Sequence, residues 1–228
     1  MATFVLVHGA FGGAHGWHKV RPLLWAQGHQ VFTPSLTGIG ERAHLASPQV
    51  TLSTHIQDVV NCVEYEDLRD IVLVGFSYGG NVVTGAVDYL HDRIAHMVYL
   101  DAALPKDGDS SRPAGIAYRM DQPWLVEGPP RVYDDPAEGE WSKPRRSAQP
   151  LGTFTEPVRL SKPIEEWPFS RTYILCNAPN HERNPEALQR TAYTRTHPAW
   201  RFREIETTHM VAQNRPDDLV RLLLEVVA

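Results

Sequence analysis

Ser77 stands in Gly75-Phe76-Ser77-Tyr78-Gly79-Gly80, a G-x-S-x-G run. The apolar stretch Ile71-Val72-Leu73-Val74 comes directly before it and a helical pattern directly after. A strand feeding a helix through such a run makes a sharp, strained turn that exposes the serine hydroxyl above the end of the strand. A serine hydroxyl is a weak nucleophile at neutral pH and needs an adjacent base. The chain has eleven histidines. His209 has the placement of a base, because it follows the last strand-like run and precedes the final helical pattern. The chemistry this pair suits is acyl transfer, with Ser77 attacking a carbonyl carbon and His209 taking its proton.

Acyl transfer also needs donors for the developing oxyanion and a carboxylate to orient the imidazole. The backbone N–H of Tyr78, next after the nucleophile, is one expected donor. The other is Ala10, in the loop His8-Gly9-Ala10-Phe11-Gly12-Gly13, whose glycines let the backbone approach closely. This loop lacks the G-x-G-x-x-G spacing of a dinucleotide site. His8, at the end of the first apolar run, is expected to shape the loop. For the acid there are two candidates. Asp101, in Leu100-Asp101-Ala102 at the end of a strand-like run, is preferred. Glu182, in the loop after Tyr173 to Cys176, is the alternative.

Positioning these residues requires alternating strands and helices. Six short apolar runs read as buried strands of a parallel sheet: Phe4 to Val7, Val31-Phe32, Ile71 to Val74, Met97 to Leu100, Tyr173 to Cys176 and Trp200 to Ile205. Helical spacing links Leu52, Ile56, Val59, Val60 and Val63. It also links Gly79, Val83, Ala86, Val87 and Leu90, and then Leu219, Leu222, Leu223 and Val226. Asn214-Arg215-Pro216-Asp217 reads as an N-terminal cap with an early proline for the last helix. The pattern predicts an α/β fold with helices on both sheet faces.

One stretch breaks the alternation. Eleven of the 18 prolines fall from Pro105 to Pro168, along with Trp124, Tyr133 and Trp141. That proline density forbids long helices, while a disordered linker would lack such aromatics. The expectation is one domain over 1–228 with a lid inserted at about 105–168. Phe11, Tyr118, Trp124 and Trp141 are the residues expected to line an apolar, aromatic-tolerant pocket.

Composition narrows the partners. The net charge is −5 and no Lys/Arg block appears, which argues against nucleic acid and an anionic membrane surface. Cys62 and Cys176 sit in apolar runs, and no Cys/His cluster suggests a metal. No signal-peptide pattern or bilayer-length apolar segment is present, so the expected location is cytoplasmic. The expected partner is a small-molecule substrate, and the reading leaves room for a homodimer.

These motifs together resemble the bacterial α/β-hydrolase-fold esterases related to plant methyl-salicylate esterases and hydroxynitrile lyases. The resemblance covers nearly the whole chain. Its motifs are Phe4 to Ala10, Gly38-Ile39-Gly40-Glu41-Arg42, the Ser77 turn, Tyr99-Leu100-Asp101-Ala102 and Pro150 to Thr155. It implies a six-stranded core, a small lid, no cofactor, and hydrolysis of carboxylic esters or related carbamates and amides. The plant enzymes carry an aspartate after the next-to-last strand, where this chain has Pro179. Cyanohydrin lyases of that group have a lysine after the catalytic histidine, where this chain has Met210, so hydrolysis is preferred over lyase chemistry. Lactone or carbon–carbon bond hydrolysis, another reaction of secondary metabolism, and a non-catalytic binding module stay open as alternatives.

Overall fold

The computed structural model describes residues 1–111, 117–179 and 184–227. Its framework is a six-stranded sheet formed by β1 (Thr3–Val7), β2 (Gln30–Phe32), β3 (Ile71–Phe76), β4 (Ile94–Leu100), β8 (Ser170–Cys176) and β9 (Arg201–Ile205). The order is β2-β1-β3-β4-β8-β9, and every pairing is parallel. The six expected runs are these six strands.

Alternation of side chains explains why the runs are apolar on both faces. In β1, Val5 and Val7 enter one core while Phe4 and Leu6 enter the other. β3 repeats the division, with Ile71 and Leu73 on one side and Val72 and Val74 on the other. The first core is covered by α2 (Leu52–Tyr65) and α3 (Gly79–Leu90), through Val59, Val60, Val83 and Val87. The second is covered by α1 (Val20–Ala26) and α8 (Pro216–Glu225), through Leu24, Leu219 and Leu223. Burying each such Val or Leu side chain contributes roughly 1.5–3 kcal/mol.

Two local expectations change. A four-residue helix α7 (Val211–Asn214) precedes α8, and Pro216 occupies its expected early position. Asn214 does not cap α8, because its amide accepts from Asp134 N and donates to Thr208 Oγ1. The described residues of the proline-rich segment between β4 and β8 form short pieces. A small antiparallel sheet joins β5 (Ala117–Tyr118), β6 (Leu125–Glu127) and β7 (Gln149–Pro150). Helices α4 (Pro136–Ser142) and α5 (Gly152–Thr155) complete it. Between β8 and β9 lies α6 (Pro185–Thr196). No disulfide joins Cys62 and Cys176. Among the described residues, no helix is long and apolar enough to cross a membrane.

Candidate active site

Parallel pairing of β3 with β4 sets Phe76 opposite Leu100, so the two chains leave the sheet side by side at Ser77 and Asp101. Both residues turn with positive φ, +56° at Ser77 and +43° at Asp101. Such a conformation costs a non-glycine residue about 1–3 kcal/mol and persists only where its surroundings hold it. At Ser77 the holding is explicit. Its N–H donates to Leu100 O at 3.1 Å, and its carbonyl accepts from Gly80 N at 3.1 Å and Ala103 N at 2.9 Å. The N–H of Asp101 donates to Ile174 O at 2.7 Å.

The glycines around Ser77 are there because backbones meet. A Cβ at Gly80 would lie 2.1 Å from Ala103 O, and one at Gly79 would lie 2.8 Å from both Val7 O and His8 O. A Cβ at Gly9 would lie 2.9 Å from the Ser77 Cβ. The loop after β1 is therefore pressed against the serine.

His209 reaches this place from the loop between β9 and α7. Its Nε2 is 2.8 Å from Ser77 Oγ, and its Nδ1 is 2.7 Å from Asp101 Oδ2. A carboxylate can only accept, so Nδ1 carries the proton, and the Nε2 lone pair faces the serine O–H. The Phe76 ring packs against the imidazole, with centroids 4.8 Å apart. Glu182 lies outside the described residues.

The expected oxyanion donors flank the serine. The N–H groups of Ala10 and Tyr78 find no acceptor among the described residues. His8 sets the direction of the first. Leu36 N donates to His8 Nε2 at 3.1 Å, so the ring proton sits on Nδ1 and is donated to Gly9 O at 2.9 Å. Burial holds this imidazole neutral, with its pKa lowered to about 4. The peptide plane is trans, so fixing Gly9 O on one side points Ala10 N–H to the other. Tyr78 is fixed by its hydroxyl, which lies 2.9 Å from His55 Nδ1 and 3.2 Å from Thr153 O. Glu41, in the Gly38 to Arg42 motif, accepts from Ala14 N at 3.0 Å and so braces the far end of the β1 loop.

Ser77 and His209 open onto a cavity whose wall includes Trp17, Arg131, Tyr133, Arg146, Met210 and Gln213. None of the four aromatics expected to line the pocket does so. Phe11 is buried in the core beside Phe154, at 5.7 Å between centroids, and Gly128 packs over its ring. Its backbone instead fastens the loop to the inserted segment, through Gln149 Oε1 at 2.9 Å and Ser147 N at 3.2 Å. Tyr118 is exposed on β5. Trp124 does not reach the cavity, and its carbonyl holds Leu151 N at 2.7 Å. Trp141, on α4, lies between the His18 ring at 4.1 Å and the Arg145 guanidinium at 4.1 Å. Aromatics mark where the segment packs, while its contribution to the cavity is largely polar. The arginines between its prolines were the available signal. Among the described residues, no three His, Cys, Asp or Glu side chains gather as metal ligands would.

Six parallel strands with a serine turn at the centre define an α/β hydrolase, and the chain belongs to the alpha/beta hydrolase family, whose model matches residues 4–222. A carbendazim hydrolyzing esterase from Nocardioides is 52% identical over 110 residues, which is 48% of this chain and 46% of that protein. Methylesterase 2 of Arabidopsis thaliana is 34% identical over 113 residues, 45% of this chain and 40% of that protein. The aligned part thus spans less than half the length of these curated relatives. Among solved structures, a methylesterase from Arabidopsis superposes with a TM-score of 0.81 at 25% identity, covering 100% of this chain and 99% of that one.

Proposed function

We propose that this chain is a serine hydrolase that cleaves a carboxylic ester, or a related carbamate or amide, of a small aromatic substrate. The observation that carries the reading is the continuous hydrogen-bonded line from Ser77 Oγ through His209 to Asp101, at 2.8 and 2.7 Å. Ser77 Oγ attacks the carbonyl carbon as its proton passes to His209 Nε2. The tetrahedral oxyanion is held by the Ala10 and Tyr78 N–H groups. Asp101 keeps the imidazole oriented and stabilises its cation. His209 then protonates the leaving alcohol or amine, which departs and leaves an acyl-Ser77 ester. Water gives a proton to His209, attacks that ester and releases the acid, and the proton returns to Ser77. Segment 105–168 serves as the lid. Similarity to an esterase named for carbendazim and to plant methylesterases supports this substrate class.

The test is a burst of p-nitrophenol from p-nitrophenyl acetate, together with covalent labelling by a fluorophosphonate. Both should disappear in Ser77→Ala. Full activity in that variant would sink the reading.

A further inference from the structure

The cavity beside Ser77 has a polarity that ester hydrolysis itself does not require. The whole chain carries a net charge of −5. Yet the described residues that line this cavity include Arg131 and Arg146 and no Asp or Glu. Both arginines come from the inserted segment, Arg131 between β6 and α4, and Arg146 between α4 and β7.

Each guanidinium is poorly compensated. Among the described residues, Arg131 makes no hydrogen bond or ion pair. Burial disfavours the charge of both groups, and the nearby cation of Arg146 adds to this at Arg131. Asp101 is the carboxylate that acts on Arg131, and Glu127 the one that acts on Arg146, each by less than burial opposes. Arg146 Nη1 donates to Pro129 O at 2.9 Å, but its Nη2 is buried with no acceptor among the described residues. Among the lining residues, Trp17 Nε1 is a second buried donor without an acceptor, and Gln213 Oε1 is an unpartnered acceptor. Leaving a buried charged donor unpaired costs stability, and two cations sharing a wall add to that cost. A fold that needed only an apolar pocket would gain by replacing Arg146, whose Nη2 is the buried unpaired one. A ligand that brings an anionic acceptor supplies what this wall lacks, because the guanidinium fork matches a carboxylate.

We infer that Arg131 and Arg146 form an anion-recognising wall of the catalytic cavity, so that the molecule bound beside Ser77 carries a carboxylate. This rests on the serine-hydrolase reading for what is done to the ligand, and on the wall alone for its charge. The substrate is then an ester with a second, ionised carboxyl group that stays intact while the ester bond is cleaved.

Binding and turnover test the two parts separately. Calorimetry on the whole chain compares benzoate with its neutral isostere benzamide at low salt. Benzoate should bind at least tenfold more tightly, with the preference shrinking as NaCl is raised. Arg131→Gln and Arg146→Gln should each cut the preference fivefold or more, and Arg131→Lys should restore part of it. The wild-type comparison and its salt dependence stand even if a variant fails to fold. Equal affinity, undetectable benzoate binding, or a preference that survives both glutamine variants overturns the wall. In parallel, the acetyl esters of para-hydroxybenzoate and para-hydroxybenzamide are compared as substrates. The charged ester should be hydrolysed with the higher catalytic efficiency, and that advantage should fall in both glutamine variants. A benzoate preference without turnover of either ester supports the wall and counts against the hydrolase reading.

Discussion

Asp101 meets His209 from the end of β4, with Oδ2 2.7 Å from Nδ1, one strand away from the serine that the same imidazole faces. Asp101 and Ser77 are thus carried by neighbouring parallel strands. Their relative position is set by sheet register, while His209 arrives from a loop 108 residues further along the chain than Asp101.

Replacing Asp101 by Asn keeps the shape but lets the wrong imidazole nitrogen carry the proton. The expected loss in kcat is about 10⁴-fold, the scale seen when a triad acid is neutralised. Glu182→Gln should stay within a few-fold of wild type. Steady-state kinetics on p-nitrophenyl acetate reads both, and a large loss in the Glu182 variant alone would move the acid there.

His8→Ala removes the clamp on Gly9 O and frees the peptide that presents Ala10 N–H. The expected effect is a fall in kcat of about 10²-fold with KM little changed, somewhat less than deletion of an oxyanion donor itself. Pre-steady-state bursts should slow in acylation. A change confined to KM would show that the clamp shapes binding instead.

Stability should fall on mild acidification. His8 and His55 are both buried, which lowers each pKa from 6.5 to about 4. Between these values the unfolded chain binds protons that the folded chain refuses, so stability declines as pH drops from about 6.5 and levels off below about 4. The loss is on the order of 3 kcal/mol per histidine at most. Urea midpoints at a series of pH values from neutral down through this window would follow it, and a flat profile would contradict neutral burial of these rings.

Gly80→Ala places a methyl group where Ala103 O stands, 2.1 Å from the added carbon. Relief requires the β3–α3 turn to move away from the chain leaving β4. A destabilisation of about 1–3 kcal/mol, read by thermal melting, should accompany slower acylation. Normal melting with normal rates would mean that the turn tolerates the shift.

Local chemistry was the legible part. Each strand announces itself by a short apolar run, because both faces of a parallel sheet are covered. The turn at Ser77 is readable because strand, glycines and helix are contiguous. Asp101 was readable only as an acid at a strand end, since its partner is distant in the chain. The cavity wall was not readable, because the facing of Phe11, Trp124 and Trp141 depends on how the proline-rich segment packs back on the sheet. Asn214 shows the same limit on a smaller scale. Its type suits a helix cap, but Asp134 N and Thr208 Oγ1 claim its amide.

The segment between β4 and β8 supplies Arg131, Tyr133, Ser142 and Arg146 to the cavity, whereas Ser77, Asp101 and His209 all issue from strand ends or the loop after β9. The segment's part of the wall is therefore written in a different stretch of chain from Ser77, Asp101 and His209, while Trp17, Met210 and Gln213 complete the cavity from elsewhere. Grafting a relative's insertion onto this sheet would change the Arg131 and Arg146 part of the wall, provided the graft keeps the Gln149 and Ser147 contacts that fasten Phe11. Conversely, descent could explore new substrates by rewriting one contiguous block, without putting the strained ends of β3 and β4 at risk.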